Sequence, residues 1–311
     1  MNIFNAIGDA LGSILGFILW FFFDLFDSFV PAVFIFVVII KAVSFPFELK
    51  SRRAMQKSAK MSAKMQEIQK KYANNRQKLN EELAKFYEKE GYNPMGGCLP
   101  QLFPMFVLTG VYGAVARPLT NLFRVSAETL NSAVEALKTI PDLSVDLSSV
   151  YSQLDIVRIF PQVSEKLNMF TPEQISDILD FNRGFNFFGL DLFAVPMSSS
   201  FSSFAWIWPV LSAVLMFATS MIAQRMSGMN KDAPGCSKVM PFVVPLLIVW
   251  LTLYAPAALG VYYTVFNLVS LIQTVLTEKY FGPKAFEAKE EAARIARLEL
   301  EEAKEKKIGD K

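Results

Sequence analysis

The sequence predicts an all-α polytopic membrane protein with five transmembrane helices, a cytoplasmic helical hairpin and an extracytoplasmic helical loop domain. Two observations support this fold class. Hydrophobic residues make up 52% of the 311 residues, charged residues make up 19%, and the mean hydropathy is +0.31, a composition that excludes an ordinary soluble domain. Four apolar stretches are long enough to cross a hydrocarbon core of about 30 Å, and a fifth is nearly so.

Polar segments separate the five predicted spans. The spans cover residues 30–49, 99–116, 204–224, 240–254 and 259–277. Ahead of the first span, residues 10–23 form an uncharged run of 14 residues, which is short for a membrane span. We interpret segment 1–29 as an interfacial helix, and the sequence leaves open whether this helix crosses the membrane.

Lys and Arg are distributed unevenly between the connecting segments, and this bias predicts the orientation in the membrane. Segment 50–89 contains 12 basic residues and far fewer acidic ones, whereas segment 118–196 contains 5 basic and 10 acidic residues. The first segment is therefore predicted to be cytoplasmic and the second extracytoplasmic. Five spans then place the N-terminus outside and the C-terminus in the cytoplasm, with the loop 225–239 cytoplasmic as well.

Segment 50–97 is predicted to form a basic helical hairpin. Its apolar residues step by three and four along 61–72 and again along 79–86, and residues 72–76 supply a turn. Met55, Met61 and Met65 accompany the basic residues of the first helix. Flexible thioethers suit a surface that captures many apolar sequences, although these methionines could also close the core of the hairpin itself.

The extracytoplasmic segment 118–198 is too long for a structureless connection, so we predict a small helical cap domain. Residues 126–140 have the pattern of an amphipathic helix. Thr171 and Gln174 form a capping box with Pro172 at the first helical position, which predicts a second helix through Leu179. The segment 278–311 has 9 basic and 9 acidic residues and is predicted to be a solvated helical tail.

Lys41 is the most informative residue for a prediction of function. It lies nine residues before Lys50, which places it about 14 Å from the cytoplasmic end of its helix, near the middle of the bilayer. A lysine at that depth costs roughly 2.5–3.5 kcal/mol on insertion scales and is expected to face water or a partner. Ser44 and Glu48 follow on the same helical face. An ion pair with Glu48 is one alternative, but Glu48 is close to the cytoplasmic boundary, and we favour a lysine in a wet cavity.

Three other spans also carry polar or semi-polar stripes at helical spacing. We predict that these stripes line one hydrophilic groove with Lys41 and Ser44. The lining residues are Gln101, Thr109 and Tyr112 of the second span, Thr219 of the third, and Tyr263, Asn267 and Ser270 of the last. Hydrogen bonding between neighbouring helices, worth about 0.6 kcal/mol per bond, is the alternative role for each Ser, Thr and Asn. A groove open to lipid and cytoplasm would let a polar segment enter the bilayer partly hydrated.

The residue inventory excludes several kinds of chemistry. Histidine is absent, which removes Ser-His-Asp triads, His-zinc sites and imidazole proton relays. Cys98 and Cys236 have neither a CxxC nor a Cys/His partner. We therefore expect no catalytic site and no metal. A transporter or channel with an intramembrane charged pathway is the alternative function, and it predicts inverted repeats or broken helices.

Four stretches resemble those of one known family. They are residues 37–46, with a charge five residues before a proline; the pieces 69–72 and 77–83 of the hairpin; residues 92–100, Tyr-Asn-Pro-Met-Gly-Gly-Cys-Leu-Pro; and residues 260–267, Gly-Val-Tyr-Tyr-Thr-Val-Phe-Asn. By these motifs the chain resembles the YidC insertases of the YidC/Oxa/Alb superfamily from about residue 19 to residue 280.

The resemblance implies a five-helix insertase core with a positively charged, lipid-open groove and a cytoplasmic hairpin that receives substrate. It implies insertion or folding of nascent membrane proteins in the bacterial plasma membrane, alone or beside the Sec translocon. The implied partners are nascent membrane-protein substrates, the ribosome, signal recognition machinery and anionic lipids, with no nucleotide and no metal. The groove charge of the family is usually Arg and is Lys41 here, which keeps the charge but loses the bidentate fork of a guanidinium.

Overall fold

The computed structural model describes residues 3–89, 99–141, 145–147, 149–200, 203–227 and 235–282, with residues 288, 291–292, 294–296 and 298–299 of the C-terminal segment. The helices are α1 Ile3–Phe26, α2 Phe29–Lys71, α3 Arg76–Lys89, α4 Leu99–Ala116, α5 Pro118–Asn121, α6 Ala127–Lys138, α7 Ser152–Val163, α8 Pro172–Gly184, α9 Ile207–Ser227, α10 Gly235–Tyr254 and α11 Ala257–Phe281. Three short 3-10 turns and one two-stranded hairpin, β1 Asn186–Phe187 and β2 Leu190–Asp191, complete the described elements. The motif at 92–98 and most of the predicted tail lie outside the described residues.

Helix α2 is a single helix of 43 residues that runs from the first predicted span into the cytoplasmic hairpin. The sequence analysis treated residues 30–49 as a span and the residues after it as a separate hairpin helix, and the structure joins the two. Pro46 lies inside α2 without ending it, because a span tolerates one missing backbone hydrogen bond when its neighbours compensate. The predicted turn after Tyr72 is present, and α3 returns from it.

Three described helices are long and apolar enough to cross a membrane: Phe29–Arg53 within α2, Phe204–Gln224, and Ala257–Tyr280 within α11. Their positions agree with the first, third and fifth predicted spans. Helix α4 occupies the place of the second predicted span, and α10 contains a shorter apolar segment, Pro245–Tyr254. The structure is therefore that of an all-α membrane protein, and the five-span core remains a prediction.

Helix α1 is longer than the predicted 10–23 helix, and it packs against α4, α2 and α5. Glycines allow close approach: a Cβ atom at Gly16 would lie 2.7 Å from the carbonyl oxygen of Asn121, and one at Gly110 would lie 2.7 Å from Leu15 Cδ1. Asn121 is 1% exposed; its Nδ2 donates to the Gly113 carbonyl at 2.8 Å, and its Oδ1 accepts from Ser13. These contacts hold α1 to the extracytoplasmic end of α4.

The cap domain, residues 118–198, is not a separate body, because its core continues into the membrane-embedded helices. Phe181 of α8 is fully buried at 0% exposure. Its ring contacts five other aromatic rings with centroid distances of 4.6–6.3 Å: Trp20 and Phe23 of α1, Phe29 of α2, and Phe123 and Phe185 of the cap. Helices α1, α2 and α8 therefore share one hydrophobic core.

The predicted local signals of the cap are confirmed. Ser126 caps α6 by accepting from the Thr129 amide, and Thr171 and Gln174 form the reciprocal capping box of α8. Helix α8 continues to Gly184, beyond the predicted end. The β-hairpin that follows α8 turns through Phe188 and Gly189, which have φ values of 50° and 81°. Positive φ values at both positions let a two-residue turn match the right-handed twist of its flanking strands. The Phe188 side chain is 92% exposed.

The cap also binds the outer end of α11 through its main chain. The amides of Ala257 and Ala258 donate to the carbonyls of Ala194 and Leu192 at 2.8 and 2.9 Å. The first amides of a helix have no partner within the helix. The residues that follow β2 therefore complete the N-terminus of α11.

Candidate functional site: a lysine-centred polar face between two spans

Lys41 is the central residue of the span Phe29–Arg53 and is 8% exposed. Its Nζ donates to Glu48 Oε1 at 3.0 Å and lies 4.1 Å from the centroid of the Phe266 ring on α11. The opposite side of α2 carries exposed apolar residues such as Val43 and Phe47. The lysine thus points toward α11, and the apolar face of α2 is the one free to meet lipid.

The ion pair with Glu48, the alternative that the sequence analysis placed second, is present in the structure. With a span that ends at Leu49, Glu48 would reach water alone. The helical segment that is long and apolar enough to cross a membrane continues to Arg53, so Glu48 lies roughly 7 Å inside the end of that segment. At that depth an unpaired carboxylate is costly, and a seven-residue separation puts both side chains on one face.

The polar face of α2 also includes Ser44, which lies between the two members of this pair, and Arg52, one helical turn beyond Glu48. Ser44 is buried; its Oγ donates to the Lys41 carbonyl at 3.2 Å and lies 3.4 Å from Glu48 Oε1. Arg52 Nη2 donates to Thr274 Oγ1 of α11 at 2.7 Å. Helices α2 and α11 are therefore joined at two places. Lys41 lies against the Phe266 ring, and Arg52 donates a hydrogen bond to Thr274.

Several residues of the predicted stripes on α11 and α9 bind neighbouring helices or their own backbone. Asn267 Nδ2 donates to Ser212 Oγ of α9 at 3.2 Å. Thr219 donates to the carbonyl of Leu215 in its own helix. Thr264, which is not a member of the predicted stripe, donates to the Trp208 carbonyl of α9. For these hydroxyls and amides the structure favours the alternative role in helix packing.

Three buried polar atoms of α2 and α11 have no hydrogen-bond partner among the described residues. They are Ser51 Oγ, Ser270 Oγ and Gln273 Oε1, which lie next to Arg52 or within one turn of Thr274 in sequence. Buried polar atoms in proteins are ordinarily satisfied by protein groups or water. These atoms add to the polar groups near the hydrogen bond between Arg52 and Thr274.

Tyrosines lie at the end of the same region that is nearest the cap. Tyr263 of α11 is buried, and its ring lies 5.4 Å from that of Tyr262. Tyr112 of α4 contacts Tyr151 of the cap at 6.1 Å between ring centroids, with a hydrogen bond between the two side chains. Burial raises the pKa of the Tyr151 phenol well above its usual range, and the hydrogen bond to Tyr112 adds to the shift. This pair of tyrosines joins the cap to α4.

The structure does not bring all predicted site residues together. Thr109 is exposed, and Thr219 bonds its own helix. The side chains of Gln101, Met55 and Met61 lie outside the described part of the chain, and Met65 is half-buried. Sequence reasoning missed Phe266 and Tyr151. Phe266 had a detectable signal, because it adjoins Asn267 in a polar stripe, whereas nothing local marked Tyr151.

A family model described as 60Kd inner membrane protein matches residues 21–284. This match includes both faces of the Lys41 region, the cap and the hairpin. The chain belongs to the 60Kd inner membrane protein family. The resemblance to insertases noted in the sequence is thereby confirmed at the level of the family.

Named members of this family that resemble the chain are insertases. The membrane protein insertase YidC of Pelodictyon phaeoclathratiforme is 28% identical over 247 residues, which make up 79% of this chain and 32% of that protein. The membrane protein insertase YidC of Treponema pallidum is 26% identical over 260 residues, 83% of this chain and 33% of that protein. The chain spans about a third of the length of these curated relatives. The match to the 60Kd inner membrane protein family, residues 21–284, covers most of the residues that the structure describes.

Proposed function

We propose that this protein is a membrane protein insertase and chaperone that inserts and folds nascent integral membrane proteins. The observation that carries the proposal is Lys41, a buried cation at the centre of a candidate membrane span, whose Nζ is paired with Glu48 and lies against the Phe266 ring of α11. Family membership and the insertase relatives support it. The proposed route is a hydrophilic groove, open to lipid and cytoplasm, between α2, α9 and α11.

The physical benefit of such a groove is a lower desolvation cost for the substrate. Polar and charged groups of a translocating segment lose hydration in hydrocarbon, at several kcal/mol for each unsatisfied group. The hydroxyls and amides beside Arg52 and Thr274 offer hydrogen bonds in place of water. A positive charge at mid-span attracts acidic residues of the segment, since Coulomb attraction is stronger at low dielectric.

The expected partners follow from this activity. Nascent membrane-protein segments are the substrates, and the ribosome, signal recognition machinery and the Sec translocon are the partners from which such segments come. Basic residues of the hairpin suit anionic lipids of the cytoplasmic leaflet. We further propose a location in the bacterial inner membrane, with the N-terminus outside and the C-terminus in the cytoplasm, from the asymmetry of basic residues.

Cysteine labelling tests the proposed topology. Cys98 and Cys236 are first replaced by serine, and one cysteine is then placed at Ser176, which is exposed on the cap, or at Ser58 of the hairpin. In intact cells an impermeant thiol reagent is expected to label the cysteine at position 176 and not the one at position 58. Both should be labelled after permeabilisation. The reverse pattern in intact cells would overturn the topology.

The hairpin, residues 50–97, is proposed to capture substrate. Helix α3 has no buried residue, so few contacts oppose its motion relative to the bundle. Nascent apolar segments would meet the face that carries Met55, Met61 and Met65, while ribosomal RNA or anionic lipid attracts the basic face. A topology determinant without substrate contact is the simpler alternative, because cytoplasmic segments are generally basic.

Deletion of residues 59–83, bridged by a Gly/Ser linker, separates these two roles because it retains the basic residues Arg52, Arg53 and Lys57. Under the capture role, insertion of model substrates is expected to fall several-fold while the topology stays unchanged. The measurement is protease protection of substrates translated in the presence of vesicles that contain the purified protein. Parental insertion activity with unchanged topology would show that only the charge of the hairpin matters.

Photocrosslinking tests the proposed function most directly. A photoreactive residue at position 41 is expected to crosslink to ribosome-stalled nascent chains that expose a membrane segment, and not to stalled soluble chains. The matched control carries the same residue at position 43, on the exposed apolar face of α2, where crosslinks to lipid should dominate. Crosslinking of neither position to any nascent chain, together with ion flux through reconstituted protein, would favour the channel alternative.

A further inference from the structure

The cation at the centre of the groove already has a carboxylate partner within its own chain. Lys41 Nζ and Glu48 Oε1 are 3.0 Å apart, and the side chains of the two residues are 9% and 20% exposed. Ser44 Oγ lies 3.4 Å from the same carboxylate oxygen. The attraction of Lys41 for an incoming acidic residue is therefore not that of a free charge.

The two members of this pair are not equally accessible. Glu48 is the more exposed of the two and lies two helical turns nearer the cytoplasm. A segment that enters from the cytoplasm consequently meets the glutamate first. The carboxylate of Glu48 is also the same chemical group that an aspartate or glutamate of such a segment would present.

We propose that Glu48 is a specificity-determining residue that occupies the position of a substrate carboxylate on Lys41 and must be displaced by an acidic residue of the inserting segment. The inference rests on the proposed insertase function and concerns the selectivity of that groove. Displacement exchanges one carboxylate for another, so Lys41 is paired before and after the exchange. A neutral segment offers no such exchange and leaves the pair closed.

The chain offers the displaced glutamate a second cationic neighbour. Arg52 lies four residues beyond Glu48, which places it on the adjacent turn of α2. The charges of Glu48 and Arg52 attract each other. The glutamate can thus turn toward Arg52 and the cytoplasm when a substrate carboxylate reaches Lys41, without leaving an isolated charge in the span.

The test compares Glu48→Gln with the parent, using the full chain reconstituted in vesicles of phosphatidylethanolamine and phosphatidylglycerol. Two single-span substrates differ only in their translocated tails, which carry either three aspartates or three asparagines. Glu48→Gln is expected to increase insertion of the aspartate substrate about threefold to fivefold, as removal of a partly exposed competing ion pair should. Insertion of the asparagine substrate should stay at the parental level.

Two further variants control for charge and for folding. Glu165→Gln removes an exposed carboxylate of the cap, outside the groove and the hairpin, and is expected to leave insertion of both substrates unchanged. Glu48→Asp retains the charge but shortens the side chain by one methylene, so a smaller increase for the aspartate substrate is expected. This variant keeps the test decisive if Glu48→Gln reduces the yield of folded protein.

The outcomes separate this inference from the proposed function. If neither Glu48 variant raises insertion of the aspartate substrate while Lys41→Ala still lowers it, the competitor role is overturned and the insertase function stands. An equal increase for both substrates would also overturn it, because selectivity would then be unaffected. If the parent inserts neither substrate, the proposed function itself fails.

Discussion

Lys41→Ala is expected to reduce insertion of substrates with acidic translocated tails about tenfold, a change of roughly 1.4 kcal/mol in the energy of the step. The substitution removes the positive charge at the centre of the span and leaves Glu48 to repel acidic residues. Lys41→Arg should retain most of the activity because it keeps the charge, and Lys41→Glu should abolish insertion of the same substrates. Protease protection of the translocated tail measures each result.

Lys166→Ala is the matched control for this prediction. It removes one positive charge at an exposed position of the cap, outside the groove and the hairpin, and should change insertion little. Substrates with neutral tails are expected to depend weakly on Lys41, because the polar surface beside it supplies most of their benefit. Insertion of acidic-tailed substrates by Lys41→Glu at the parental level would disprove the attraction of Lys41 for acidic residues.

Phe181→Ala should lower the free energy of unfolding by about 3–5 kcal/mol, the usual cost of truncating a buried phenylalanine. The cost belongs at the high end because Phe181 is fully buried among five aromatic rings from α1, α2 and the cap. Cap and bundle share this cluster, so both should loosen together. The change is measured by thermal unfolding of the detergent-solubilised protein, with the reactivity of a cysteine introduced at position 176 as the reporter of unfolding.

Phe188→Ala removes the same ring from a position that is 92% exposed. Its cost in unfolding free energy should stay within about 0.5 kcal/mol. A comparable loss of stability in both variants would show that the Phe181 cluster is not the joint between cap and bundle. Unfolding of the cap alone in Phe181→Ala, with the bundle intact, would contradict a shared core.

The parts of the fold that were predictable depend on residues close together in sequence. The capping box of Thr171 and Gln174 is a local hydrogen-bond pattern and was found where the sequence places it. The amphipathic helix predicted over residues 126–140 is present as α6, Ala127–Lys138. The close packing of α1 had a local signal, because Gly8, Gly12 and Gly16 repeat at four-residue spacing and such a face lets another helix approach closely. The partner of that face was not predictable, since the fit of Gly12 and Gly16 against Asn121 depends on which segments become neighbours in the fold.

The central residue of the candidate site, Lys41, could be predicted from the sequence, whereas the residues of other helices that contact it could not. Lys41 is conspicuous because a charge in an apolar run of this length is costly. Its pairing with Glu48, which the sequence placed second, is present in the structure. The end of the span could not be located from a run of mixed basic and apolar residues, and the apolar helical segment continues to Arg53. The contributions of Phe266 and Tyr151 depend on which helices become neighbours, which is a property of the folded bundle.

The hydrogen bonds from Ala257 and Ala258 to the carbonyls of Ala194 and Leu192 fix the N-terminus of α11 to the residues that follow β2. Helix α11 also carries Phe266, Asn267 and Thr274, which contact α2 and α9. Because one helix makes both sets of contacts, a displacement of the cap is expected to move the partners of Lys41 and Arg52 as well.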